Sequence, residues 1–135
     1  MTIPELVAYL SDSDRLWAFP DGALADYTTL ARAYNGPLVE ARAPGSAMRA
    51  DGNVAVLNVS GPIDYRPSLF TALFGGAAVT DLRANFRQAM GDPGVKAVLF
   101  AYDSNGGSVQ GISEFAHEIM AARGTKPIYA QIETM

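Results

Sequence analysis

A chain of 135 residues predicts one domain, or one domain with an extension, and is long enough to bury an ordinary hydrophobic core. Its composition, with 49% hydrophobic and 18% charged residues, is typical of a globular protein, while the net charge of −4 and the lack of a Lys or Arg cluster argue against nucleic-acid binding. The absence of cysteine excludes disulfides, thiol chemistry and cysteine-ligated zinc and fits a reducing cytoplasm, and one histidine argues against a histidine-rich metal site.

The first fifty residues (1–50) are predicted to be a helical extension with a linker that precedes the main fold. Thr2 and Glu5 form a potential capping box around Pro4, which predicts a short helix that ends near Leu10. This N-terminal sequence lacks the basic and apolar stretches of a signal peptide. No run in the chain reaches the ~18 apolar residues that a membrane span requires, so we expect no membrane partner.

A second helix is expected after Pro20, with Asp21 as its N-cap. The helical spacing places four residues on one face, namely Leu24, Tyr27, Ala31 and Tyr34. The aromatic residues of this region are predicted to be core or subunit-contact residues rather than ligand contacts; they are Trp17, Phe19, Tyr27 and Tyr34. Residues 43–53 are rich in Ala, Gly and Pro and indicate a linker or an exposed loop.

Residues 51–135 alternate strand and helix patterns. Apolar runs of strand length occupy 54–59, 95–102 and 128–132. The helix after a Thr80 cap and the helix at 109–123 carry apolar stripes, which are Leu82, Phe86, Ala89 and Met90 in the first and Ile112, Phe115, Ala116, Ile119 and Met120 in the second. This order with short links predicts an α/β fold with a parallel sheet and right-handed crossovers.

Two further segments of this half have weaker patterns. Residues 65–78 show no clear period and contain two adjacent glycines, so we expect a mobile loop. A parallel strand at 128–132 is expected to lead into another helix, so the sequence looks cut off after Met135.

The turn at 103–107, Asp-Ser-Asn-Gly-Gly, joins the second predicted strand to the following helix, where α/β proteins usually bind ligands. Three interpretations are open. Gly106 and Gly111 have the spacing of a phosphate-binding loop, but the Lys that should follow is missing. Alternatively, the paired glycines serve only a sharp turn. In the third interpretation they admit a substrate carbonyl to backbone amides at a helix start, as in an oxyanion hole.

Three segments around this turn resemble signal peptide peptidase A-type serine peptidases, which form peptidase family S49 in the Clp protease/crotonase fold. They are Pro-x-Val-Lys-Ala-Val at 93–98, Asp-Ser-x-Gly-Gly-x-Val-x-Gly at 103–111 and Ala-Arg-x-x-Lys-Pro at 122–127. Leu-Trp-Ala-Phe-Pro at 16–20, followed by a helix, resembles the phage and prophage branch, the head-maturation or minor capsid peptidases. Residues 51–135 would then be the N-terminal half of such a domain.

The resemblance implies a role for each residue of the turn. Gly107 would donate its backbone N–H to the tetrahedral oxyanion, and Gly106 would permit the turn. The edge along which an extended peptide pairs would be formed by Ser108, Val109 and Gln110. The turn would be supported by Asp103, Ser104 and Asn105, and Asn suits this role where the family usually has Pro, because Asn tolerates left-handed backbone conformations.

The family cleaves peptides with a Ser–Lys dyad, and neither dyad position is expected within this chain. The family serine follows the strand that here is 128–132, and the lysine lies further on. His117 is expected on the solvated helix face, about 12 Å along the axis from the turn. A triad of Ser108, His117 and Asp103 is therefore out of reach, and Lys126 is expected to be solvated. The chain is predicted to be inactive alone.

The sequence therefore predicts part of an S49-type serine endopeptidase, encoded by a phage or prophage. The implied partners are a capsid or scaffold protein as substrate and further copies of the chain, in the host cytoplasm or the virion, without a cofactor or metal. One alternative is a non-catalytic capsid assembly module with the same fold. Another is an acyl-CoA enzyme of the crotonase group, which the Asp-Ser-x-Gly-Gly and Lys-Pro segments match less well. An amide of Gly107 that is tied to a neighbouring carbonyl would remove the basis of the peptidase hypothesis.

Overall fold

The chain folds into two four-stranded sheets with helices packed against them, and the computed structural model describes residues 1–37 and 39–134. The elements in chain order are α1 (Ile3–Leu10), β1 (Trp17–Ala18), α2 (Ala23–Ala33), a 3-10 turn (Pro44–Ser46), β2 (Met48–Asp51), β3 (Val54–Ser60), β4 (Ile63–Asp64), α3 (Leu69–Phe74), β5 (Ala77–Ala78), α4 (Val79–Gly91), β6 (Ala97–Asp103), β7 (Gly107–Ser108), α5 (Ile112–Ala121) and β8 (Ile128–Thr134). The predicted break after Met135 lies outside the described residues.

The large sheet has the strand order β2-β3-β6-β8. Strands β3, β6 and β8 are parallel, with Leu57 opposite Phe100 and Phe100 opposite Ala130. The predicted α/β class and its three parallel strands are therefore confirmed. The predicted linker at 43–53 is wrong, because β2 pairs antiparallel with β3 and the neighbouring Ser46 is buried.

The main core lies between the large sheet and helices α4 and α5. Leu57 and Val98 are fully buried, and α4 covers them with the predicted stripe of Leu82, Phe86 and Ala89. The predicted Thr80 cap is wrong, because the N-cap position is Ala78 and no side chain caps the helix there. The predicted stripe of α5 is only partly covered: Phe115 is buried, whereas Met120 is 54% exposed.

A second hydrophobic cluster holds the N-terminal helices against α3. The capping box of Thr2 and Glu5 is present at α1, as predicted. Helix α2 begins after Gly22, which has a left-handed backbone and no side-chain cap, so the predicted Asp21 cap is wrong. The expected mobile loop at 65–78 is also wrong, because it contains α3 and β5 and the fully buried Phe70.

We call the aromatic part of this cluster the aromatic cluster; its members are Trp17, Phe19, Tyr27, Phe70 and Phe74. Its ring centroids lie 5.0–5.6 Å apart in the closest pairs. The packing of three of the aromatic residues predicted as core, Trp17, Phe19 and Tyr27, is therefore confirmed. Tyr34 is not part of the cluster and donates a hydrogen bond to the Pro37 carbonyl at 2.5 Å.

The small sheet has the strand order β1-β7-β4-β5, and each of its strands has two residues. The N-terminal fifty residues thus supply β1 to this sheet and most of β2 to the large sheet. The division at residue 50 stays a prediction. Among the described helices, none combines the length and the apolar character that crossing a bilayer requires.

Candidate functional site

The paired glycines of the 103–107 turn are held between two other strands. Gly106 has a φ of +113°, a left-handed value that L side chains rarely adopt. A Cβ atom at Gly106 would lie 1.9 Å from the Ala18 carbonyl oxygen, and one at Gly107 would lie 2.0 Å from the Ile63 carbonyl oxygen. Both positions therefore require glycine, because strand backbones approach too closely for any side chain.

The residues predicted to support the turn each make a different contact. Ser104 Oγ donates to the Gly61 carbonyl at 2.5 Å and accepts the Gly106 N–H at 3.2 Å. The carbonyl of Asp103 accepts the Gly61 N–H at 3.0 Å. Asn105 Oδ1 accepts a hydrogen bond from the Tyr27 hydroxyl at 3.2 Å, which ties the turn to α2.

Strand β7 lies between β1 and β4 in the small sheet, and Gly107 is the residue of β7 that pairs with both neighbours. Gly107 is buried, opposite Ala18 on one side in antiparallel register and Ile63 on the other in parallel register. The Val109 N–H donates to the Leu16 carbonyl at 3.2 Å. Hydrogen-bonded pairs in an antiparallel ladder recur every second residue, so Ala18 and Gly107 form the next such pair. In this arrangement the Gly107 amide faces a carbonyl of its own chain, which argues against the peptidase hypothesis for as long as β1 and β7 are paired.

The residues of the predicted peptide edge continue from Gly107 toward α5. Ser108 is paired with Trp17, and its Oγ accepts the Gln110 N–H at 3.2 Å. Val109 is 42% exposed, and Gln110 is also exposed. An open depression of about 400 Å³ lies beside this edge, lined by Ala18, Ile63, Gly106, Gly107, Ser108, Val109, Ile112 and Ser113.

The other side chains weighed for catalysis do not join this site. His117 lies on the exposed face of α5, as predicted. Lys126 is not simply solvated, as was expected: its Nζ donates to the carbonyls of Ala89 at 2.9 Å and Asp92 at 2.6 Å. It therefore closes the C-terminal end of α4, where a cation also suits the helix dipole.

A buried polar cluster at Asp64 was missed in the sequence. Asp64 is only 2% exposed, and both of its carboxylate oxygens accept from the Tyr9 hydroxyl at 2.8 Å. The Asp64 carboxylate also accepts hydrogen bonds from Ser68 Oγ at 3.0 Å and from the Tyr65 N–H at 2.8 Å. Burial and the Asp64 hydrogen bond raise the pKa of Tyr9. No local sequence pattern indicates this cluster, because α1 and β4 are distant in the sequence and meet only in the folded chain.

Arg15 extends the Asp64 cluster toward solvent, with its guanidinium 3.7 Å from the centre of the Tyr9 ring. This is the geometry of a cation–π contact.

Within the described part of the chain, no group of three His, Cys, Asp or Glu side chains is arranged to bind a metal ion.

Comparison with known proteins points to phage head proteins. Over 87 residues the chain is 32% identical to the head-tail preconnector protein GP5 of Enterobacteria phage P21, a match that spans 64% of this chain and 17% of that protein. Over 82 residues it is 33% identical to the capsid assembly protease C of Escherichia phage lambda, spanning 61% of this chain and 19% of that protein. No protein-family model matches the sequence.

These similarities confirm the predicted resemblance to phage capsid proteins, one of which is named a protease. The chain spans less than a fifth of the length of either relative. The assignment to family S49, the Ser–Lys dyad and the Clp protease/crotonase fold therefore remain proposals.

Proposed function

We propose that this chain forms the oxyanion and substrate-strand half of an S49-type serine endopeptidase that acts in phage capsid maturation. The observation that carries the proposal is the similarity to a phage capsid assembly protease, in a chain whose glycine turn resembles that of a peptidase. The substrate would be a capsid or scaffold protein in the host cytoplasm or the virion.

The proposed reaction divides peptide hydrolysis into acylation and deacylation. A serine hydroxyl attacks the scissile carbonyl and transfers its proton to a neutral lysine, which then protonates the leaving amine. Water hydrolyses the resulting ester and regenerates the serine. The Gly107 N–H would stabilise the oxyanion of each tetrahedral intermediate, an interaction typically worth about 3 kcal/mol of the barrier. Serine and lysine would come from outside these 135 residues.

This role imposes one condition on the small sheet. The amide of Gly107 faces Ala18, so it reaches a substrate carbonyl only when β1 is not paired with β7. An amide that stays bonded to its own chain would have no part in catalysis.

Three tests address the proposal. The chain alone should cleave no capsid or scaffold peptide, and turnover that Ser108→Ala abolishes would contradict the assignment of the nucleophile to another segment. Reading the gene beyond Met135 should reveal a serine in a small-residue helix and a downstream lysine. The encoded protein should then react with a fluorophosphonate serine-hydrolase probe, and replacement of that serine by Ala should abolish labelling.

A second candidate function is a non-catalytic capsid assembly module. The covered amide of Gly107 favours it, because a sheet that is permanently closed by β1 serves assembly but not acyl transfer. Similarity to a protein named as a head-tail preconnector is also consistent with this candidate. The absence of both a downstream serine and a downstream lysine from the gene would decide in its favour.

A further inference from the structure

Strand β1 binds β7 in the way that an extended peptide adds to a sheet edge. Trp17 and Ala18 run antiparallel to Ser108 and Gly107, and main-chain pairing continues from Val109 to Leu16. This is the geometry of peptide recognition by strand addition. We propose that residues 16–19 are an internal pseudo-substrate, and that the same edge takes extended apolar peptides with a small residue opposite Gly107. The inference rests on the proposed peptide-binding role of β7.

The backbone of the glycine turn is fitted to a carbonyl at the position of Ala18. The Ala18 oxygen lies 1.9 Å from where a Cβ of Gly106 would be, so it occupies the space that the missing side chain leaves open. The ladder places the same carbonyl opposite the Gly107 amide. The Ala18 carbonyl therefore occupies the position that the proposed mechanism assigns to a scissile carbonyl.

Side chains of the segment alternate between two environments, which defines the class of peptide. Trp17 and Phe19 stack with centroids 5.6 Å apart, and Trp17 packs edge-on against Phe70. Ala18, between them, lines the depression of about 400 Å³ with Ile63 and Val109. A peptide on this edge would therefore place apolar or aromatic residues on one face and a small apolar residue at the depression.

Several features make this segment suited to displacement. Strand β1 has two residues, and its flanking hydrogen bond from Val109 to Leu16 is long, at 3.2 Å. Within the described residues, the Trp17 indole Nε1 is buried with no hydrogen-bond partner, which disfavours the covered state. The side chains of Trp17 and Phe19 anchor this segment in the aromatic cluster, whereas the main-chain pairing of the segment with β7 is short.

Ala18→Pro is the variant that releases the edge, because proline has no N–H to donate to β7. Ala18 is exposed, so the ring has space. Leu30→Ala is the control, since Leu30 lies on α2 outside residues 16–19 and is 57% exposed. Amide hydrogen exchange of Gly107 and Val109 reports whether the edge is released, and exchange of Val98 reports that the large sheet remains folded.

The binding probe is the peptide acetyl-Leu-Phe-Ala-Phe-Pro-amide, followed by the amide shifts of Gly107 and Val109. The peptide contains no tryptophan, so any change in tryptophan fluorescence on binding comes from Trp17, the single tryptophan of the chain. We expect the peptide to bind Ala18→Pro at least about tenfold more tightly than the unaltered chain and Leu30→Ala, because in Ala18→Pro the peptide no longer competes with β1. Replacing its central Ala by Asp should abolish binding.

The remaining outcomes separate this inference from the proposed function. Equal affinity of all three proteins for the peptide, at Gly107 and Val109, would overturn the pseudo-substrate and leave the peptide edge intact. No binding to Ala18→Pro with both amides exposed would overturn the inference and the peptide edge together. If Ala18→Pro unfolds, Trp17→Ala removes the anchor and keeps the backbone. Unfolding of both variants would show that β1 is an integral strand and overturn the proposal.

Discussion

The two sheets of this protein are stabilised in different ways. The large sheet has strands of up to seven residues, and its buried face forms the main core with α4 and α5. The small sheet has only two-residue strands: β1 packs in the aromatic cluster, β4 and β5 reach the main core through Ile63 and Ala77, and backbones approach closely at Gly106 and Gly107. The candidate site lies in the small sheet. The large sheet thus supports a site whose own strand pairing is only two residues long.

The largest expected effect comes from removing the centre of either core. Phe70→Ala, in the aromatic cluster, and Phe86→Ala, in the main core, should each lower the free energy of unfolding by about 3–5 kcal/mol, because both side chains are fully buried. Of these two residues, Phe70 packs against Trp17 and Phe86 does not, so Phe70→Ala alone of the two variants should change the tryptophan fluorescence of the native protein. Urea titrations followed by tryptophan fluorescence and circular dichroism measure both quantities.

The contrast between these two variants is the critical result. A change of native Trp17 emission in Phe86→Ala would show that the two hydrophobic clusters are coupled and that the two sheets are not stabilised separately. If Phe70→Ala is unfolded, the milder Phe70→Leu should show the same emission change with a smaller loss of stability.

The next effect tests the backbone contacts of the small sheet. Gly107→Ala places a Cβ 2.0 Å from the Ile63 carbonyl oxygen, and neither backbone can move without breaking the sheet. We expect a loss of about 3 kcal/mol or more, measured by urea unfolding. Gly91→Ala is the control: nothing lies within 4 Å of its Cβ position at the end of α4, so stability should be unchanged or slightly higher. Equal stability of the two variants would contradict the described pairing.

The sequence predicted the two regions unequally, for a physical reason. Continuous apolar runs identified β3, β6 and β8, and apolar residues at helical spacing identified α4 and α5, because both signals lie within continuous segments. A two-residue strand has no period, so β1, β4, β5 and β7 had no such signal. The motif located Gly106 and Gly107, but not the strand that covers them, since the pairing with Ala18 joins distant segments. The Tyr9–Asp64 contact was missed for the same reason.

Loss of the hydrogen bonds between Tyr9 and Asp64 should give the next smaller effect on stability. Tyr9→Phe removes a donor to both oxygens of the buried Asp64 and leaves Ser68 Oγ and the Tyr65 N–H as its partners. A carboxylate that loses a hydrogen-bond donor while buried should cost about 2 kcal/mol in the free energy of unfolding. Tyr129→Phe removes a hydroxyl from a side chain that is 61% exposed and should change stability by less than about 0.5 kcal/mol. Equal losses would show that Tyr9 does not support Asp64.

The smallest expected effect lies on the helices that cover the large sheet, and it depends on pH. Glu118 on α5 accepts from Arg83 Nε at 2.9 Å and from Arg87, both on α4. Burial opposes its ionisation, but the hydrogen bonds and charges of the two arginines outweigh this and lower the pKa of Glu118 below its ordinary value of 4.5. Glu118→Gln should therefore cost about 1 kcal/mol at neutral pH.

The sign of the pH dependence follows from the lowered pKa. The stabilisation by ionised Glu118 is fully present above the ordinary value of 4.5 and is lost as the pH falls through the lower pKa of the folded state. Urea unfolding of Glu118→Gln and the unaltered chain should therefore differ at neutral pH and converge in acid. Glu114→Gln, an exposed residue on the same helix, should show no such convergence. Because α4 and α5 pack on the large sheet, native Trp17 emission should stay constant throughout, and a change would mean that this ion pair also holds the small sheet.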